Sequence, residues 1–315
     1  MHATTTAAPD TGEDGSGRSL LKAAFAHTFH PTIILLALLA CHYLHRSPEL
    51  FLPIGIGFTF LMTALEQLMP ARREWRPLSS FKQTAINFAF WMVGYFFVWG
   101  AAVATLYDRA LAPRLIGARQ GLGLPELWPS SWPVVAKLGL AWLIADFISY
   151  WFHRAQHRWG AVWRVTAHGV HHSPTEMYSI KAAVNHPFEF LVLLFPIPLL
   201  MGLGAGPEEI SCLTFMIWIQ IHFTHCNLPL KYGATGWILQ TGQYHLQHHS
   251  VVHEEQNTNY GCCMSLWDRL FGTFREPGHI ASTGVAPGAS LGLGQQLLFP
   301  VRPVYSAPPA PPPRP

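Results

Sequence analysis

Charge is scarce in this chain: 12% of its 315 residues are Asp, Glu, Lys or Arg, about half of what soluble domains carry. That shortage excludes an ordinary soluble surface. The net charge of +3 is too small to argue for a nucleic-acid partner, and none is expected. Cysteine is sparse too. Cys41, Cys212, Cys226, Cys262 and Cys263 are odd in number and form no CxxC pair, which excludes a disulfide framework and a zinc ribbon and leaves reduced thiols. An HExxH pattern, which would supply a metal hydrolase with its general base, does not occur. The N-terminal "MHATTTAAPDTGEDGSG" carries acids where a signal peptide needs positive charge, so a disordered tail over 1–20 and no cleaved signal are expected. No internal repeat is visible beyond the histidine clusters described below.

What is present in excess is apolar. Half of the chain is hydrophobic, with 12 Trp and 20 Phe. Four apolar stretches of about bilayer-crossing length lie at 23–44, 50–69, 84–107 and 133–152. Two shorter ones, 188–203 and 209–223, are interrupted by "FPIP" and "GLGAGP" and predict a hairpin reaching part of the way across. The fold class expected is all-α: a polytopic membrane helical bundle with a cytoplasmic, histidine-rich helical cap. Residues 21–132 would hold the N-terminal spans, 133–280 the catalytic region with its hairpin, and 281–315 a Pro-rich C-terminal tail. The Arg-rich connector "ARREWRP" at 71–77 places the end of the second span in the cytoplasm. By parity, the histidine clusters fall on that side.

Of 18 histidines, 11 lie between residues 153 and 249. His153 and His157 are four apart and share a helix face; His168, His171 and His172 repeat an i, i+3, i+4 pattern, as do His245, His248 and His249. His222 and His225 add an i, i+3 pair. Each neutral imidazole gives one nitrogen to a metal and the other to a supporting partner. These are too many ligands for one ion, so two metals are expected, and imidazole suits iron, copper and zinc alike. The setting favours iron, because a site at the mouth of a membrane bundle meets lipid C–H bonds that yield only to oxidation. Asp146, seven positions before His153, lies on almost the same helix face and is expected to accept the N–H of a ligand histidine. His186 in "NHPFE" is either a catalytic neighbour of the site or the cap of the following span. His27, His30, His42 and His45 are expected at the interface, and Asp268 is expected to pair with Arg269.

The stretch "DFISYWFHRAQHRWGAVWRVTAHGVHHSPTEMYSIKAAVNHPFE", with "HFTHCN", "HLQHH" and "NYGCCMSLWDRLFGTF", resembles the fatty acid hydroxylase/sterol desaturase superfamily of membrane di-iron oxygenases. The likeness covers about residues 140 to 275. It implies two iron ions held by His153, His157, His168, His171, His172, His245, His248 and His249, with His225 and then His222 as additions. It implies dioxygen as co-substrate and hydroxylation or desaturation of a lipid held in the bilayer. No "HPGG" cytochrome b5 signature is fused to the chain, so electrons would come from a separate donor, cytochrome b5 or a ferredoxin with its reductase. A metal-dependent membrane hydrolase or a metal transporter is the alternative class; a transporter would place its ligands at mid-span.

Overall fold

In a bilayer the backbone finds no water, so an apolar run must close its hydrogen bonds within one helix. The computed structural model describes residues 14–93, 109–286 and 291–304, and its first half is built on this rule. Helices α1 (Asp14–Leu44), α2 (Phe51–Leu68), α3 (Phe81–Met92), α4 (Ala112–Gly121) and α5 (Val134–Arg158) follow one another. Among the described residues, Ser19–Leu44, Pro48–Leu68 and Val134–Arg158 are long and apolar enough to cross a membrane. The expected span at 84–107 begins in α3, and its positions 94–108 lie outside the described residues. The tail expected over 1–20 is helical from Asp14, since adding a residue to an existing helix costs little once the apolar run has nucleated it.

The second half is cut into shorter pieces by Pro and Gly. These are α6 (Gly160–Thr166), α7 (His168–His171), α8 (Pro187–Leu193), α9 (Pro196–Leu203), α10 (Pro207–His225), α11 (Gly242–His248), α12 (His253–Gln256), α13 (Leu266–Leu270) and α14 (Leu293–Leu298). No strand forms among the described residues; two isolated bridges, Leu239 with Met264 and Ser250 with Thr283, pin the cap loops. The stretch expected to form a hairpin folds as α8 and α9 followed by α10, broken before Pro196.

α10 is the central pillar, packed against α1, α2, α5 and α11. Gly55 of α2 lets the Trp218 ring approach; a Cβ there would sit 3.2 Å from the ring. The bundle turns apolar side chains outward, as lipid allows, with Leu35, Leu36 and Phe60 exposed, and buries a few polar ones, His30, Thr59, Glu66 and Asp146, within an otherwise apolar core. Contrary to the interfacial placement expected from sequence, His30 lies between α1 and α10, where its Nε2 meets Gln220 Oε1 at 3.1 Å. Glu66, at the cap end of α2, accepts the Ser179 N–H, the Ser179 hydroxyl and the Asn227 N–H at 2.7–2.8 Å, and so ties that span to two cap segments.

The region 281–315 also departs from the expected tail. "LGLGQQLLF" forms α14 and delivers Phe299, fully buried, into a small core with Trp163, Ala167, Val170 and Phe90. An apolar run close to an exposed ring cluster gains more by burial than by solvation. Residues 305–315, with most of the Pro-rich stretch, lie outside the described residues.

Candidate metal centre

Four helices bring nine histidines together. α5 contributes His153 and His157, α7 with its cap residue His168, His171 and His172, α10 His225, and α11 with its cap residue His245, His248 and His249. They divide into two groups, His153, His157, His168, His172 and His248 in one and His171, His225, His245 and His249 in the other, with ligand atoms within 4.8 Å inside each group. The division follows from helix geometry. Residues four apart share a face, while a residue three on and its successor diverge by about 100°. His168 and His172 therefore join one group and His171 the other, and His245 and His249 join one group while His248 crosses over. One HxxHH motif thus serves two sites.

The ring nitrogens show what the groups can hold. His153 Nδ1–H donates to Tyr260 O at 2.6 Å and His248 Nδ1–H to Thr258 O at 2.9 Å. A carbonyl can only accept, so each of these rings carries its proton on Nδ1 and leaves Nε2 bare. Yet the two Nε2 atoms lie 2.9 Å apart. His171, donating to Val184 O, and His225, donating to Ile221 O, face each other in the same way at 3.4 Å. Bare lone pairs aimed at one another in a buried site repel unless a cation stands between them. Further Nε2 separations of 3.0–3.1 Å link His157 to His168 and His172, and His245 to His225 and His249. Donors about 2.0–2.1 Å from one ion and at right angles are about 3.0 Å apart, so the arrangement fits imidazole coordination. Burial lowers His168 to about 3 and holds His171, His172, His245, His248 and His249 well below the ordinary histidine value, which keeps these rings neutral and their lone pairs free.

The structure corrects the expectations for Asp146 and His222 and decides between the two for His186. Asp146 does not meet a ring nitrogen: its two oxygens accept the N–H groups of Cys263 at 2.8 Å and Met264 at 3.1 Å. Seven helical steps place it on the face of His153 but two turns deeper, beyond reach of that ring. His222 stays out of both groups because its Nδ1 is taken by Trp218 O and its Nε2 by the Thr59 hydroxyl at 2.9 Å. His186 caps α8, its Nδ1 accepting the Phe188 N–H at 3.2 Å, and its Nε2 meets Leu297 O. Asp268 and Arg269 also do not pair. Asp268 accepts the N–H groups of Tyr260 and Gly261 and the Thr273 hydroxyl, each at 2.7 Å, while Arg269 lies over the Phe274 ring. Residues unforeseen from sequence support the site: Glu189, bonded to His168 Nδ1, Gln156, which donates to Glu189 at 3.0 Å, and Gln256, 3.3 Å from His172 Nδ1. The signal of the first two in the sequence is weak, a lone glutamate after "HPF" and a lone glutamine between His153 and His157.

Gly261 shows how tightly the loop behind His153 is drawn. A Cβ at this position would lie 2.0 Å from Met264 O and 2.9 Å from Asp268 Oδ2. Gly261→Ala is expected to destabilise the fold by about 3 kcal/mol, the upper end of overpacking costs, and to release the Tyr260 carbonyl from His153. Thermal unfolding of the detergent-solubilised chain measures it; an unchanged melting temperature would contradict the reading.

Beneath the histidines lies a cavity of about 680 Å³, within the range of small-molecule sites. His153, His168, His171, His225 and His245 line its cap end, and Phe51, Leu52, Leu193, Ile197 and Phe215 line its body. Its wall follows α10 from Pro207 to His225, about 27 Å at 1.5 Å per residue, close to the hydrocarbon thickness of a bilayer. The space is thus long and mainly apolar, with its imidazoles gathered at the cap end and hydroxyls of Ser211 and Thr214 along its body.

A protein-family model described as fatty acid hydroxylase matches residues 138–273. The chain is 30% identical to an ornithine lipid hydroxylase of Rhizobium tropici over 299 residues, 90% of this chain and 86% of that protein. It is 31% identical over 168 residues to a methylsterol monooxygenase of Arabidopsis thaliana, 51% of this chain and 54% of that protein. An alkylglycerol monooxygenase of Xenopus tropicalis is 30% identical over 152 residues, 47% of this chain and 31% of that protein. No solved structure matches the chain.

Proposed function

The chain belongs to the fatty acid hydroxylase family, and from that premise we propose that it is an integral membrane oxidoreductase that hydroxylates a lipid with dioxygen and electrons from a separate donor protein. Two iron ions would be held by the groups of five and four histidines. When bound, they supply the activation of dioxygen that attack on an unactivated C–H bond requires. Ligation by His222, and metal or substrate roles for Asp146 and His186, are not part of this proposal.

The observation that carries the reading is the set of bare, opposed Nε2 atoms at the end of an apolar cavity. The residues of the chain have three tasks. The carbonyls of Tyr260, Thr258, Val184 and Ile221 hold the protons on the far side of their rings. The apolar walls along α8, α9 and α10 align one lipid chain, so that a single carbon is presented at the cap end. The same walls exclude water, which protects the oxidising step from side reactions. The relative matched over most of this chain acts, by its name, on ornithine lipid, which supports a polar-headed membrane lipid as the substrate. The Arg-rich connector at 71–77 supports a multi-pass arrangement with the histidine cap on the cytoplasmic side, where a soluble electron donor can reach it.

Lipid extracts from a host expressing the chain, supplied with isotope-labelled dioxygen, test the proposal. A lipid carrying one labelled oxygen is expected. If the purified chain binds two irons and a working donor is present, yet no lipid is oxidised, the proposal fails.

A further inference from the structure

The two histidine groups are not supported alike. In the five-histidine group, His168 Nδ1–H donates to Glu189 Oε1, and the same oxygen accepts the Gln156 amide N–H at 3.0 Å. Gln156 is itself held by the Thr166 hydroxyl at 3.0 Å. Glu189 is 1% exposed, and its second oxygen is buried without a hydrogen-bond partner. Among the described residues, no other carboxylate meets a ring of the nine. Asp146 and Asp268 bond main-chain N–H groups instead. In the four-histidine group the supports are neutral, Val184 O, Ile221 O and the Thr224 hydroxyl, while the Nδ1 atoms of His245 and His249, like that of His157 in the other group, have no partner.

We infer that Glu189 is a positioning residue that makes the two groups unequal: its carboxylate orients His168 of the five-histidine group and, among the described residues, bonds no ring of the four-histidine group. The physical reason is twofold. A carboxylate accepting from an imidazole fixes the ring's tautomer and raises the basicity of the opposite nitrogen. The ring that it holds, His168, belongs to the five-histidine group, so the support is delivered to one side. The start of α8 makes the placement possible. His186 caps the helix, Pro187 fills its first position, and Glu189 reaches back from its first turn to His168, while Phe190 and Leu193 of the same helix line the lipid cavity.

The inference rests on the two-metal reading above, and titration of the purified, metal-free full chain with Co²⁺ separates the two. The wild type is expected to bind two ions. Glu189→Gln keeps the acceptor oxygen but removes the charge, and Glu189→Ala removes both. Each is expected to weaken one of the two ions by about 10–100-fold and the other by much less. The retained ion reports that the variant is folded. Glu189→Asp, which restores the charge, should recover part of the loss. Equal weakening of both ions, or of neither, overturns the inference while leaving two metals intact. Binding of fewer than two ions by the wild type overturns the two-metal reading itself.

Discussion

Replacing His171 by alanine is expected to abolish lipid oxidation and to reduce the iron content from two ions per chain to about one. His171 is the α7 contribution to the four-histidine group, where its Nε2 faces that of His225 at 3.4 Å. Loss of a supporting partner outside the coordination shell already lowers metal affinity or activity by about 10–100-fold, so loss of a ligand should exceed the upper end of that range. The neighbouring His172 belongs to the other group, which keeps its full set of five nitrogens in this variant. The asymmetry is therefore the informative part. Iron quantified on the purified variant, beside labelled-oxygen incorporation into lipid, gives both numbers. Two retained irons, or activity within tenfold of wild type, would remove His171 from the metal centre. A parallel His222→Ala chain should keep both irons, because the His222 ring nitrogens bond Trp218 O and Thr59.

Asp146→Leu is expected to destabilise the fold strongly, because it strips two buried main-chain N–H groups of their acceptor. The Asp146 carboxylate is the only partner of the Cys263 and Met264 N–H groups among the hydrogen bonds of the described residues. A buried N–H left unpaired costs about 1–3 kcal/mol, so the pair costs about 2–6 kcal/mol. The consequence travels to the site by a short route. The loop that Asp146 holds carries Tyr260, whose carbonyl fixes His153. Chemical unfolding in detergent measures the loss, and Asp146→Asn, which keeps one acceptor oxygen, should show roughly half of it. If Asp146→Leu unfolds like wild type yet loses metal, Asp146 acts on the histidines directly, as the sequence suggested.

Much of this molecule is legible before any coordinates. The apolar runs give α1, α2 and α5 because backbone hydrogen bonds must be satisfied locally in lipid, whatever else surrounds them. The histidine spacing gives the helical faces, since i, i+3 and i+4 residues are neighbours by the pitch of the helix alone. The errors share one cause. Asp146, His222 and His186 lie near the clusters in sequence and His30 far from them, yet for all four the sequence says nothing about which partner lies across the gap between two helices. Thr59, Cys263, Leu297 and Gln220 took those partners, each from a distant segment. Phe299 was hidden for a related reason: its value lies in a ring cluster assembled from three other segments.

By itself, then, the sequence determined the material of the protein: membrane helices, and imidazoles enough for two ions, because helix formation and residue chemistry are local properties. Only the tertiary structure decided how nine rings divide into five and four, that among the described residues one buried carboxylate bonds a ring of one group, and that a long, mainly apolar cavity ends at both. Those outcomes depend on how α5, α7, α10 and α11 cross, and crossing angles are set by packing between segments far apart in the chain.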